Sequence, residues 1–309
     1  MSNRKNELTR RDFLQAISGA AVVGAAGVSL LGGRNATASP APPPGPAASG
    51  KSTVVLVRDA AALDENRKVS GPVVSRMLDQ AVAALFGEQT PEKAWGRLFG
   101  PQDTVGIKTN QWEFLPTPPA LEQAIRRRVA GTGVPAAKIS VADHGIYDNP
   151  GFTGATALVN IRPMRTHHWS GVGSLIKNVI TVTPSPWDWH GDSCADLAGL
   201  WQLPGVKGKV RLNVLVMLTP LFHGKGAHHY QAEYTWPYGG LLVGVDPVAV
   251  DATGLRILEA QRKIHFGADV PFTVPPHHIR LAEEKHHLGI ADPERIRIIR
   301  IGTMENALV

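Results

Sequence analysis

Four stretches of this chain carry side chains able to do chemistry, and each directly follows an apolar run. Lys108 and Asn110 end "TVGIKTN", Asp143 and His144 end "KISVADHG", and Asp246 ends "LLVGVD". His223, Lys225, His228 and His229 follow "VLVMLTPL". Lysine and asparagine hold anionic groups, while aspartate and histidine accept or donate protons. A fifth stretch, "GVGSLIKN", sets Lys177 and Asn178 just after two glycines. A helix starting there would offer free N–H groups to an anion. "WDWHGD", residues 187–192, mixes aromatics with Asp188, His190 and Asp192 and fits either a pocket wall or a surface loop.

His223, His228 and Glu233 are candidates of another kind. Imidazoles with a carboxylate suit zinc, iron, copper or nickel without any cysteine. Gly224 and Gly226 would let the backbone turn so that these side chains converge. Lys225 among them would repel a cation, so the loop also reads as a pocket rim. His228 and His229 cannot both point inward from an extended segment. Cys194 is the only cysteine, which excludes an intramolecular disulfide and a four-cysteine iron–sulfur cluster within one chain. Any metal site here would use His, Asp and Glu.

The elements that must position these residues are legible from periodicity and punctuation. Apolar strands are expected at "TVVLVRD", "TVGIKT", "KISVAD", "VRLNVLVML", "GGLLVGV" and "RIRIIRIG". Helices are expected at "VVSRMLDQAVAALFG", "PPALEQAIRRRVAGTG", "SCADLAGLWQL", "DPVAVDATGLRILEAQ" and "PPHHIRLAEEKHHLG", with a short one at "PEKAWGRLFG". Asp246 before Pro247 is also a helix cap by type and position. From Gly151 to Pro186 the pattern is irregular apart from a possible helical turn at "GSLIKNVI". Alternating strands and helices predict an α/β fold, a mostly parallel sheet with helices on both faces. In such sheets ligands bind beyond the carboxyl ends of the strands. Lys108, Asn110, Lys177 and Asp246 are therefore expected to line one crevice at that edge. Two lysines sharing a crevice would lower the pKa of one of them unless a carboxylate or bound anion compensates.

Ahead of this domain stands an export address. Thr9-Arg10-Arg11-Asp12-Phe13-Leu14 fits the twin-arginine pattern and a dilute apolar run to Leu31 follows it. Ala36-Thr37-Ala38 is a small-x-small cleavage site. The division expected is a signal peptide over 1–38, a Pro/Ala-rich linker over 39–52, and a single α/β domain over 53–309. The partner during export would be the twin-arginine translocase, and the destination the periplasm or the exterior. An uncleaved signal would leave a membrane anchor. Half of the formal net charge of +6 belongs to the first 38 residues, which removes the compositional case for nucleic-acid binding.

"VGIKTN", "SGVGSLIKNVI", "GGLLVGVDPVAVDATGLRIL" and "IRLAEEKHHLGIADPERIRI" occur in this order. Together they resemble the domain-of-unknown-function family 362 over roughly residues 53–302. The resemblance implicates Lys108, Asn110, Lys177, Asn178, Asp246 and Asp251 as site residues. Many relatives append a four-cysteine ferredoxin-type segment, which this chain lacks. The expected function is that of an exported enzyme acting on an anionic small molecule. Lys108 and Lys177 would hold the anion, and Asp143, His144 or His223 would serve as acid–base groups or metal ligands. The alternatives are a periplasmic protein that binds a metal or small anion without catalysis, or a structural envelope protein.

Overall fold

The computed structural model describes residues 50–226 and 229–309. The twin-arginine motif, the cleavage site, nearly all of the linker and His228 lie outside the described residues. Eight strands form one sheet: β1 (Ser52–Arg58), β2 (Val105–Lys108), β3 (Ile139–Ala142), β4 (Ala157–His167), β5 (Gly171–Gly173), β6 (Val210–Leu221), β7 (Gly240–Gly244) and β8 (Ile296–Gly302). Their order is β3-β2-β4-β6-β7-β1-β8, with β5 folded back antiparallel on the end of β4. β7 runs antiparallel to both its neighbours, β6 and β1, and the other pairs on the main path are parallel.

Both faces of the sheet are covered, which is why the strands read as nearly continuous apolar runs. In β1, Val55 and Val57 face one core while Val54 and Leu56 face the other. The first core is closed by α1 (Gly71–Phe86), α2 (Pro91–Gly96) and α3 (Pro119–Gly131). α1 places Val74, Met77, Leu78, Ala81 and Val82 on its buried side, the spacing of one helical face. It ends at Gly87, whose φ of 66° is a left-handed cap that disfavours a side chain. The second core is closed by the short α4 (Leu175–Asn178), α5 (Pro247–Phe266) and α6 (His277–Glu284). Among the described residues no helix is long and apolar enough to cross a membrane.

Two local expectations are corrected. The stretch read as irregular holds β4, eleven residues long and central in the sheet. Its sequence, "ALVNIRPMRTH", hides the strand because Asn160, Arg162, Pro163 and Arg165 break the apolar pattern. The helix expected at "SCADLAGLWQL" is instead a turn followed by a 3₁₀ segment, Leu197–Gln202. Asp192, Ser193 and Cys194 all take positive φ, which no right-handed helix accommodates.

Candidate functional site

β2, β3, β4 and β6 are parallel, so their carboxyl ends share one edge, and a cavity of about 210 Å³ opens there. Asn110 and Trp112 come from beyond β2, Asp143 and His144 from beyond β3, and Arg162, Arg165 and His167 from β4. Lys177 and Asn178 on α4, with Trp169, Trp187 and His190 from the loops around it, complete most of the wall.

Lys108 lies behind this cavity in a closed network. Its Nζ donates to Asp143 Oδ1 at 2.6 Å and to Thr109 O at 2.7 Å, with Asn178 Oδ1 at 3.4 Å. Asp143 Oδ2 accepts from the Gln111 N–H at 2.8 Å and lies 3.4 Å from His144 Nε2. Burial lowers the Lys108 pKa to about 8 although Asp143 opposes the shift. Burial pushes the Asp143 carboxyl upward, but Lys108 and the Gln111 N–H outweigh it and hold the net value below the usual range. At neutral pH the two form a buried ion pair. Asn178 is equally committed, its Nδ2 donating to Asn160 Oδ1 (2.8 Å), Ile161 O (3.1 Å) and Lys108 O (3.3 Å). It ties α4 to the end of β2 and the interior of β4.

Lys177 is held differently. Its Nζ is 2.9 Å from His190 Nε2 and 3.7 Å from Cys194 Sγ, and among the described residues it makes no ion pair. Burial lowers its pKa to about 8, and Arg162 and Arg165 push in the same direction. Burial and Lys177 bring His190 down to about 4, so the imidazole is neutral at pH 7. An ammonium has no lone pair, so Nε2 must accept the Lys177 proton. His167 is likewise held neutral by burial and the surrounding cations.

Two further cations sit in the same wall, and the residue patterns singled out in the sequence missed them both. Arg162 is buried, with one 3.4 Å contact from Nη1 to Ser174 O, and Arg165 reaches Leu115 O at 3.3 Å. The Nε of each is buried without a hydrogen-bond partner. Burial lowers the Arg162 pKa to about 10 and that of Arg165 well below its ordinary value. A Cβ on Gly173 would come within 2.7 Å of Arg162 Nη2, so glycine is what lets the guanidinium lie there. Residues three apart face opposite sides of a regular strand. The register of β4 shifts between Pro163 and Arg165, and both guanidiniums line one cavity. Two arginines flanking a proline inside an apolar stretch were the available signal.

The two aspartates of "DPVAVD" go elsewhere. Because β7 is antiparallel, its carboxyl end lies at the opposite, amino edge of the sheet. The expectation that Asp246 shares the crevice is therefore corrected. Asp246 caps α5, accepting from Val248 N (2.9 Å) and Ala249 N (3.2 Å), and also from Ile290 N (2.9 Å) and the Ser52 hydroxyl. Asp251 is buried in α5 and accepts from Leu175 N (2.9 Å), Ile176 N (2.8 Å) and Ser174 Oγ (2.7 Å). The anion expected at the start of α4 is thus the chain's own carboxylate, and it fixes the turn that carries Lys177. Burial raises the Asp251 pKa to about 7 despite these donors.

The residues expected as metal ligands are dispersed in role. His223 Nδ1 lies 3.1 Å from Arg262 Nη1, a donor that occupies its lone pair. Glu233 is exposed and accepts from Gln231 Nε2 at 3.3 Å. Among the described residues, no three or more His, Cys, Asp or Glu side chains converge as a metal-holding group.

Residues 132–256 match the family model described as domain of unknown function, DUF362. The match takes in Asp143, Arg162, Arg165, Lys177 and Asp251 but stops short of Lys108 and Asn110. No curated protein matches the chain, and no solved structure does.

Proposed function

We propose that this chain is an exported protein that binds a small organic anion in the cavity at the carboxyl edge and moves a proton on it through Lys177. The observation that carries the reading is the charge balance of the wall. Arg162, Arg165 and Lys177 are buried there with no carboxylate in ion-pair contact among the described residues, although Asp143 and Asp251 act on Arg162 from further off. Burying a cation is costly unless an anion meets it, and a ligand carboxylate or phosphate would do so. Asn110 adds a buried Oδ1 that lacks a partner, an acceptor for a ligand hydroxyl or amine. Lys177, with a pKa near 8, exchanges protons near neutral pH more readily than an ordinary lysine. His190 is its proton partner at 2.9 Å.

Calorimetric titration with acetate and inorganic phosphate tests the binding. Both are expected to bind the wild type, and Arg162→Met is expected to abolish the heat while the variant stays folded. Equal binding by that variant, or none by the wild type, overturns the reading. Proton transfer is tested by deuterium wash-in from D₂O into a panel of carboxylic acids. Exchange that needs Lys177 supports catalysis, whereas binding without exchange leaves an anion-binding protein. Export is tested by replacing Arg10 and Arg11 with lysine, which is expected to retain the precursor in the cytoplasm. Continued export in a strain without the twin-arginine translocase refutes that part.

A further inference from the structure

Resting on the anion-binding reading, we infer that the ligand is a single flat aromatic ring carrying its anionic group at one end. The cavity has a polar end and an aromatic end, separated by depth. Arg162 and Lys177 are only 4% and 3% exposed, which sets the cationic end at the floor. Trp169 and Trp187 are 39% and 71% exposed, which sets the indoles at the mouth. Trp187 is the most exposed large apolar side chain among the described residues, and core packing does not explain its place.

Its ring contacts are to other parts of the same wall. Trp187 meets Trp169 edge-on at 6.0 Å and 78°, and lies 5.9 Å from the His190 ring. Trp169 in turn meets His190 at 4.5 Å. The segment beyond β2 supplies Trp112, whose ring lies 5.7 Å from the Arg165 guanidinium carbon. A ligand with its anionic head on the guanidiniums would therefore carry its body between indole and imidazole rings. Aromatic walls favour an aromatic body through offset or edge-to-face contact. His167 and His190 are held neutral, so that wall presents rings rather than ions to the body of the ligand. A volume of about 210 Å³ accommodates one ring and its anionic head.

The test uses matched pairs of probes that differ by the ring. Benzoate is compared with acetate, and phenyl phosphate with inorganic phosphate, by calorimetry on the mature protein. The ring is expected to tighten binding roughly tenfold in at least one pair, and the pair that responds tells carboxylate from phosphate heads. In Trp187→Ala the ring's advantage should fall several-fold, with quenching of indole fluorescence reduced in parallel. If acetate or phosphate binds in an Arg162-dependent way but the ring adds nothing, the inference falls and the anion site stands. If the ring's advantage survives both Trp187→Ala and Trp169→Ala, the assigned wall is wrong and the inference falls. If no probe binds the wild type, the anion site itself fails, and this inference with it.

Discussion

The two edges of the sheet bury the same kinds of charge and settle them in opposite ways. At the amino edge, Arg211 from the start of β6 meets Asp103 just ahead of β2 through contacts of 2.9 and 3.0 Å. Asp103 is further held by the Gly100 N–H and the Thr156 hydroxyl, and Arg211 reaches Leu98 O. Asp246, at the same edge, has four donors. At the carboxyl edge, among the described residues, Lys108 has a carboxylate in contact, while Arg162, Arg165 and Lys177 have imidazole, thiol or carbonyl neighbours. A closed charge network specifies packing. An open one at the strand ends, where ligands bind in such sheets, is what the proposed anion would close.

The largest effect should come from breaking the closed edge. Arg211→Met leaves Asp103 buried without its counter-charge and is expected to cost about 3–5 kcal/mol in urea unfolding. Arg162→Met at the open edge removes a cation on which Asp143 and Asp251 act only from a distance, without an ion-pair contact, and should cost far less stability than Arg211→Met. If Arg162→Met destabilises as much as Arg211→Met, the cations of the carboxyl edge are structural and the contrast disappears.

What the sequence reveals follows the same division. Helix ends were legible because glycine and proline mark them, as at Gly87 and Pro247, and apolar strands were legible because both faces are buried. The site was half legible. Lys108, Asp143 and Lys177 stand just beyond apolar runs, so position alone exposes them. Arg162 and Arg165 were hidden because they sit inside a strand and erase the very pattern by which a strand is recognised. Strand direction was the other gap. "LLVGVD" has the look of its parallel neighbours, but pairing partners decide which edge its aspartate reaches, and no local signal encodes them. Nor could spacing separate the two aspartates of α5, since one caps its own helix and the other reaches across to a second.

Those two aspartates sharpen the contrast at a smaller scale. Asp246→Ala removes a helix cap and leaves several buried N–H groups unmet, an expected loss of about 2 kcal/mol. Because Asp246 belongs to the closed edge, acetate and phosphate affinity should be unchanged. Asp251→Ala removes the acceptor of Leu175 N, Ile176 N and the Ser174 hydroxyl, and should cost a similar amount of stability. Here affinity should also drop, by about tenfold, because the turn that aims Lys177 is no longer pinned. Equal effects of the two variants on affinity would mean that the edges are not independent.

The smallest effect is the change of affinity with pH, and its sign is fixed by the lysines. Lys177 is an ammonium below its folded pKa of about 8 and a neutral amine above it. An anion binds the charged form better, so affinity should be level below about pH 7 and fall as pH rises through 8. One linked proton limits the fall to about tenfold per pH unit. By the same linkage, binding near pH 8 should draw a proton from the buffer, visible as a dependence of the observed heat on buffer ionisation enthalpy. Lys108 has a similar pKa, but Asp143 already holds its ammonium, so its titration should matter less. Lys177→Arg separates the two, because a guanidinium stays charged across this range. That variant should bind simple anions with a flat profile through pH 8, whereas Lys108→Arg should keep the decline. A decline that persists undiminished in Lys177→Arg would assign the titration to another group and remove Lys177 from the centre of the site.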